Sequence, residues 1–139
     1  MGASAHADHA AGRIAGSSIF PAVLSIVAGV IHAAVVPEHL EEQWVFGAFF
    51  ILVAVFQIAW AIVVVARPSA IVSTIGALAN GAIIALWAVS RTVGLPIGPE
   101  AWTPEPVSTP DVTATLMELL LVVSVVFARD PAVTASPRR

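Results

Sequence analysis

The sequence predicts an all-α integral membrane protein, a four-helix bundle with antiparallel up-down-up-down topology. Two observations predict this fold class. Of the 139 residues, 58% are hydrophobic and 11% are charged, which is more apolar than a soluble domain can bury. Four apolar runs also reach or approach the ~20 residues that cross the hydrocarbon core of a bilayer. We therefore expect the lipid bilayer as a partner and, because no basic stripe is present, no nucleic acid.

The arginines indicate how the four runs are oriented. They fall on alternate sides of the runs, and the positive-inside rule places the richer side in the cytoplasm. Acidic residues fill the connections on the other side, where only Arg91 breaks the pattern. We predict a multi-pass protein of the plasma membrane with both termini cytoplasmic. The arginines on the cytoplasmic side are Arg13, Arg67, Arg129, Arg138 and Arg139.

The first two spans are predicted from a polar tail and a proline. Residues 1–16 are small and polar without periodicity, which predicts a disordered cytoplasmic tail. The first span is expected over residues 17–36, because Pro37 cannot donate a backbone hydrogen bond and disfavours helical angles before it. The same proline can open the second span, expected over residues 37–66. A cleaved signal peptide is the alternative for the first run, although the run exceeds the usual apolar region of about 7–15 residues.

The last two spans are separated by a proline-rich loop. Arg67 and Pro68 form a short connection, so the second and third spans are expected to be antiparallel neighbours. The third span is expected over residues 69–91 and the fourth over residues 110–128, so that residues 17–128 form one transmembrane domain. Residues 129–139 are then a second cytoplasmic tail. The loop between these spans contains Pro96, Pro99, Pro104 and Pro106, which exclude regular structure.

Polar residues within the apolar runs are the candidate functional residues. Polar groups in hydrocarbon are costly and usually face the interior of a bundle, and at 100° per residue each span places them on one stripe. Gln57 and Asn80 are expected to hydrogen-bond across helices. Glu118, an isolated acid in the fourth run, is expected either to form a buried ion pair with Arg91 or to bind a ligand, and the sequence leaves both readings open.

A metal site is expected where several of these stripes approach the outer surface. The expected ligands are His32, His39 and Glu118, with Glu42 as a fourth. Imidazole and carboxylate without thiolate suit a divalent transition metal such as zinc, copper or iron, and the chain contains no cysteine. The sequence carries none of the common enzyme motifs, so an enzyme is not the leading expectation.

Two stretches resemble a known group of proteins. IHAAVVPEHLEEQWVFGAFFILVAVFQIAWA and SRTVGLPIGPEAWTPEPVSTPDVTATLMELL are similar to small four-span membrane proteins of high-GC bacteria. That group shares an early His…His…Gln pattern and a later S-R-T-x-G-L-P-x-G-P loop, here Ser90 to Pro99. The resemblance covers about residues 30–122 and implies the four-span topology without implying an activity. It places His32, His39, Arg91 and Glu118 in matching segments.

Three functions are compatible with these expectations. The leading one is a non-enzymatic membrane protein with an outward-facing polar or metal-binding site at the mouth of the bundle, accessory to a metal or redox system. A purely structural membrane subunit is one alternative, with the polar stripes joining its helices. A redox protein that binds a quinone, or less favourably haem, is the other. A second copy of the chain or another membrane protein is the expected protein partner.

The predicted orientation can be tested with single introduced cysteines. Cysteine at Ser4 or Ser136 is expected to resist a membrane-impermeant thiol reagent in intact cells, and cysteine at Thr103 is expected to react, because only the loop faces outward. Labelling at Ser4 would contradict the orientation.

Overall fold

The computed structural model describes residues 3–128, with side chains from Ser18 onward. These residues form four α-helices without any strand: α1 (Ala3–Glu42), α2 (Trp44–Ala66), α3 (Ala70–Thr92) and α4 (Thr109–Phe127). The all-helical prediction is therefore confirmed for this part of the chain. The predicted tail over residues 129–139 lies outside the described residues, and α1 begins within the segment predicted to be a disordered tail.

All four helices are long and apolar enough to cross a membrane. Their outer surfaces are covered by large apolar side chains, and Leu52, Ile71 and Leu78 are 68%, 73% and 69% exposed. A soluble monomer rarely exposes apolar surface on this scale. The length, hydropathy and exposed surface of the helices together indicate a membrane protein.

The connection between the first two helices differs from the prediction. The predicted boundary at Pro37 is wrong, because α1 continues through this proline to Glu42 and α2 begins at Trp44. Only Gln43 separates them, with extended backbone angles (φ −160°, ψ 125°). So tight a connection requires a small residue opposite the end of α1, since a Cβ on Gly47 would overlap the Leu40 side chain. A proline within a long apolar helix is tolerated where neighbouring helices support it.

Contacts between helices establish the up-down-up-down topology. Ser25 of α1 bonds to the carbonyl of Gln57, whereas Leu40 near the other end of α1 meets Gly47, so α1 and α2 are antiparallel. The connection through residues 67–69 reverses the chain again into α3. Around the bundle α2 packs against α1, α1 against α4, and α4 against α3, whereas α2 and α3 share few contacts. We call the end carrying Gln43 and residues 93–108 the loop end, and the opposite end the Arg67 end.

The helices pack through a small apolar layer at the Arg67 end. Trp60 is its largest member, and the indole Nε1 donates to the carbonyl of Val72 at 2.8 Å, which joins α2 to α3. Gly76 makes this contact possible, because a Cβ there would lie 2.2 Å from the indole ring. The layer consists of Ala22, Leu24, Trp60, Ala61, Val64, Leu121 and Val125.

Two glycines of α3 provide a matched test of this packing. Gly76→Ala is expected to lower the free energy of unfolding by about 1–3 kcal/mol, because the added methyl group overpacks the Trp60 contact. Gly81→Ala meets no atom within 4 Å, and it is expected to be neutral or to stabilise α3 by up to ~1 kcal/mol through helix propensity. Unfolding by SDS in mixed micelles, followed by tryptophan fluorescence, measures both. Equal effects of the two substitutions would contradict the described packing of α2 on α3.

Candidate functional site

A layer of buried polar side chains crosses the middle of the bundle. Glu118 is central to it, because its Oε1 lies 2.9 Å from His32 Nε2 and accepts a hydrogen bond from Gln57 Nε2 at 2.8 Å. These three residues come from α4, α1 and α2 and are at most 7% exposed. A carboxylate only accepts hydrogen bonds, so the contact places a proton on His32 Nε2 when Glu118 is ionised. The carboxyl group of Glu118 thereby joins three helices.

Gln57 extends the layer to the remaining helix. Its amide also donates to Asn80 Oδ1 at 3.0 Å, which is the interhelical bond expected from the sequence. Asn80 in turn donates to the carbonyl of Gly76, and Ser25 donates to the backbone carbonyl of Gln57. The polar layer therefore consists of Ser25, His32, Gln57, Asn80 and Glu118, and all five are buried.

A cavity of about 300 Å³ lies between the polar layer and the loop end. All four helices contribute to its walls, and α2 and α3 supply the largest shares among the helices. Leu95, Pro96 and Ile97 of the 93–108 loop also line it. Most of the wall is apolar or aromatic and is formed by Val45, Phe46, Phe49, Phe50, Ile83, Leu86 and Trp87. The polar residues of the wall are His32, His39, Glu42, Ser90, Arg91, Glu105, Asp111, Thr115 and Glu118.

Phe50 separates the two histidines that line this cavity. Its ring centroid lies 5.4 Å from that of His32 and 4.2 Å from that of His39, the latter in edge-to-face geometry. Because α1 continues through Pro37, both histidines belong to one helix, seven residues apart. At 1.5 Å per residue this separates them by about 10 Å along the axis. They therefore lie at different depths of the cavity.

The metal site predicted from the sequence is not assembled in the structure. Among the described residues there is no group of three or more His, Cys, Asp or Glu side chains arranged to hold a metal ion. His32 and Glu118 do meet, but His39 and Glu42 lie further along α1 towards the loop end. The prediction placed His39 and Glu42 at the start of a second helix. In the structure they belong to α1, where His39 lies about 10 Å along the axis from His32, the partner of Glu118.

The predicted ion pair between Arg91 and Glu118 is also absent. Arg91 instead donates to Glu105 of the loop and, at 2.7 Å, to Asp111 at the start of α4. The physical reason is depth, since Arg91 ends α3 at the level of Asp111, whereas Glu118 lies seven residues further into α4, about 10 Å away along the axis. Both residues still line the cavity, at its two ends.

The 93–108 loop is attached to the bundle at the level of Arg91. Besides the contact with Arg91, the backbone N–H of Glu105 donates to the carbonyl of Ser90 at 3.0 Å. Gly94 follows the end of α3 with a positive φ of 81°, and its missing side chain lets the chain at Thr103 cross closely. These contacts place the first residues of the loop over the cavity.

Three nitrogen atoms on the cavity-lining residues are buried without a hydrogen-bond partner. They are His39 Nδ1, Trp87 Nε1 and Arg91 Nε. Trp87 and Arg91 are four residues apart on α3 and so share one face of the helix. Indole and guanidinium nitrogens can only donate. Both nitrogens are enclosed by protein atoms and are left without a partner among the described residues.

Comparisons with known proteins identify no relative. No protein-family model, no curated protein and no solved structure matches this chain. The fold and the site of residues 3–128 therefore define a class only: four helices able to span a membrane, with a cavity beside a buried histidine–carboxyl pair.

Sequence reasoning missed two groups of residues at this site. The first is the aromatic wall, for which the cluster of Trp44, Phe46, Phe49 and Phe50 at the start of α2 was an available signal. The second is Glu105, a residue of the 93–108 loop that pairs with Arg91. Arg91 was the one arginine on the unexpected side, and the nearby acids of the loop were a signal for its partners.

A double-mutant cycle distinguishes the observed partner of Glu118 from the predicted one. Glu118→Ala and His32→Ala are expected to show a coupling of about 0.5–2 kcal/mol in the free energy of unfolding in mixed micelles, because the two side chains share a buried hydrogen bond. The cycle of Glu118→Ala with Arg91→Ala is expected to stay within ~0.5 kcal/mol of additivity.

Glu118→Gln is the control for this cycle. It keeps an oxygen that can accept from Gln57 and His32, so its loss of stability is expected to be smaller than that of Glu118→Ala. A coupling larger for Arg91 than for His32 would contradict the polar layer described above.

Proposed function

We propose that this chain is a plasma-membrane protein that binds one lipophilic small molecule in the loop-end cavity. In this proposal both termini lie in the cytoplasm and the cavity opens on the outer side, as the arginine distribution favours. The polar layer would close the cavity towards the cytoplasm. Binding, with no chemical conversion, is the activity that the residues support best.

One observation carries this proposal, the cavity at the loop end of the bundle. Ligand pockets are typically concave, mostly apolar and ~300–1,000 Å³ in volume, with a few polar groups that orient the ligand. This cavity, at about 300 Å³, matches the lower end of that range and has aromatic walls with polar groups at both ends. Its size favours a ligand of one or two rings. Because α2 and α3 share few contacts, a ligand could enter from the lipid between them.

The same geometry is less favourable to the other functions. A metal-binding role lacks the grouped ligands it needs among residues 18–128. Haem is large for the volume, and His32 Nε2, a candidate axial ligand, is engaged by Glu118. A purely structural subunit would explain the polar layer. It would leave the cavity unexplained, because protein interiors otherwise pack closely.

A photoreactive lipophile tests this function directly. In detergent-purified protein, 3-trifluoromethyl-3-phenyldiazirine is expected to label cavity-lining residues of α2 and α3 saturably, in addition to non-saturable labelling of the outer surface. Ile83→Trp is expected to abolish the saturable part, because Ile83 lines the cavity and a larger side chain fills it. Peptide mass spectrometry identifies the labelled residues.

Ile75→Trp is the matched control, because Ile75 lies on the same helix, is 49% exposed and is not part of the cavity wall. It is expected to leave the saturable labelling unchanged. Both variants should retain the wild-type elution volume in size-exclusion chromatography. If the wild type shows only non-saturable labelling, or if both variants retain the saturable part, the cavity is not a ligand site.

A further inference from the structure

We propose that the ligand of this cavity is a lipophilic cation, an ammonium group carried on an apolar body of one or two rings. This inference rests on the proposed function and names the chemical class of the ligand. Its basis is a small hollow lined by acids that borders the cavity, together with the aromatic residue that lines both spaces.

A hollow of about 40 Å³ borders the cavity at the loop end. We call it the acidic hollow, because its wall includes Glu42 at the end of α1 and both Glu100 and Glu105 of the 93–108 loop. Two of these acids, Glu42 and Glu105, line the cavity as well. A ligand whose body lies in the cavity can therefore direct a small charged group to these carboxyl groups.

The acids of the hollow are accessible to a ligand. Glu42 and Glu100 are exposed, and the Glu105 side chain is 36% exposed although it contacts Arg91. In the described part of the chain, neither Glu42 nor Glu100 takes part in an ion pair. An ammonium group can thus approach these carboxyl groups without displacing a protein partner.

The charges at the loop end of the cavity favour a cation over an anion. Three acids line this end, Glu42, Glu105 and Asp111, and Arg91 is the one guanidinium group of the wall. The acids therefore exceed Arg91 by two formal charges, and Glu118 adds a further carboxyl group at the deep end. Charges in a partly enclosed site interact more strongly than in bulk water, so this excess attracts a cation and repels an anion.

Phe46 provides an aromatic surface beside these acids. It lines both the cavity and the acidic hollow. The loop packs tightly on it, because a Cβ on Gly98 would lie 2.8 Å from the Phe46 ring. The face of an aromatic ring attracts a cation, so an ammonium group at this place can interact with carboxyl groups and with a ring. Phe49 and Phe50 remain available to pack against the apolar body.

The same acids do not favour a bare metal ion. A hard cation such as calcium needs several oxygen ligands at about 2.3–2.6 Å from one point. Among residues 18–128 no group of three or more His, Cys, Asp or Glu side chains is arranged in this way. An organic ammonium group is larger, and it can interact with carboxyl groups that are too far apart to bind one metal ion.

A matched pair of compounds, 1-naphthylmethylamine and 1-naphthylmethanol, tests the inference. They have nearly the same shape, and only the amine is charged near neutral pH. Each is titrated against the saturable diazirine labelling of purified full-length protein in an uncharged detergent, and potencies are compared at equal concentrations in the micelles. The amine is expected to bind about tenfold or more tightly than the alcohol, since a hydrogen bond to a charged group contributes about that factor. The anion 1-naphthoate is expected to bind more weakly than the alcohol.

Glu42→Gln removes one charge of the acidic hollow and keeps the size of the side chain. It is expected to weaken the amine about three- to tenfold and to leave the alcohol unchanged. Glu41→Gln is the matched control, because Glu41 is the neighbouring exposed acid of α1 and lines neither the cavity nor the hollow. It changes the net charge equally, and at physiological salt it should alter the affinity for the amine less than about twofold.

Each other outcome overturns the inference in a recognisable way. Equal affinities for the amine and the alcohol would remove charge recognition while leaving a lipophile site in place. Tightest binding of the naphthoate would assign the loop end to an anion. Equal losses in Glu41→Gln and Glu42→Gln would show an effect of overall charge only. If the labelling is saturable and none of the three compounds displaces it, the ligand is of another class. If the labelling itself is non-saturable, the proposed function fails.

Discussion

The arrangement of this bundle depends on one carboxyl group at the centre of four apolar helices, which must find hydrogen-bond partners there. Glu118 is the middle residue of α4, nine positions from either end, and it is 1% exposed. An acid at this position must be hydrogen-bonded or neutralised, since a bare charge in an apolar interior is very costly. His32 and Gln57 satisfy it from α1 and α2, and the second bond of the Gln57 amide reaches Asn80 on α3. One acid thus sets the register of all four helices.

The polar layer also explains why the cavity lies on one side of it. Towards the Arg67 end, Trp60 fills the space between α2 and α3, and Gly76 allows the ring to approach closely. Towards the loop end, Phe46, Phe50 and Trp87 line the space without filling it. About 300 Å³ stays open there, next to Leu95, Pro96 and Ile97 of the 93–108 loop. Arg91 and its two acids hold that loop in place, so the bundle has an apolar layer, a polar layer and a cavity in succession.

The sequence predicted the features that depend on one helix at a time. Length and hydropathy indicated four apolar helices, and 100° periodicity identified Gln57 and Asn80 as inward-facing residues. Features that depend on the relative depth of two helices were not predictable. Pro37 looked like a boundary because local rules favour a break there, but packing of α1 on α2 sustains the helix to Glu42. That shift of the connection placed His39 on α1 and removed the expected metal ligands from Glu118. Arg91 was predicted as a partner of Glu118 because the sequence does not show how deep Glu118 of α4 lies relative to Arg91 at the end of α3.

The central claim is the contact between Glu118 and His32, and solid-state NMR in lipid bilayers tests it most directly. The protein is labelled with ¹⁵N in the histidine and arginine side chains and with ¹³C in the glutamate side-chain carboxyl groups. Dipolar recoupling then measures the nitrogen–carbon distances to Glu118. The Glu118→Gln protein assigns the Glu118 signal. The account predicts a distance of about 4 Å or less between His32 Nε2 and the Glu118 carboxyl carbon, as a direct hydrogen bond requires. A comparably short distance from Glu118 to the Arg91 guanidinium, with none to His32, would contradict it.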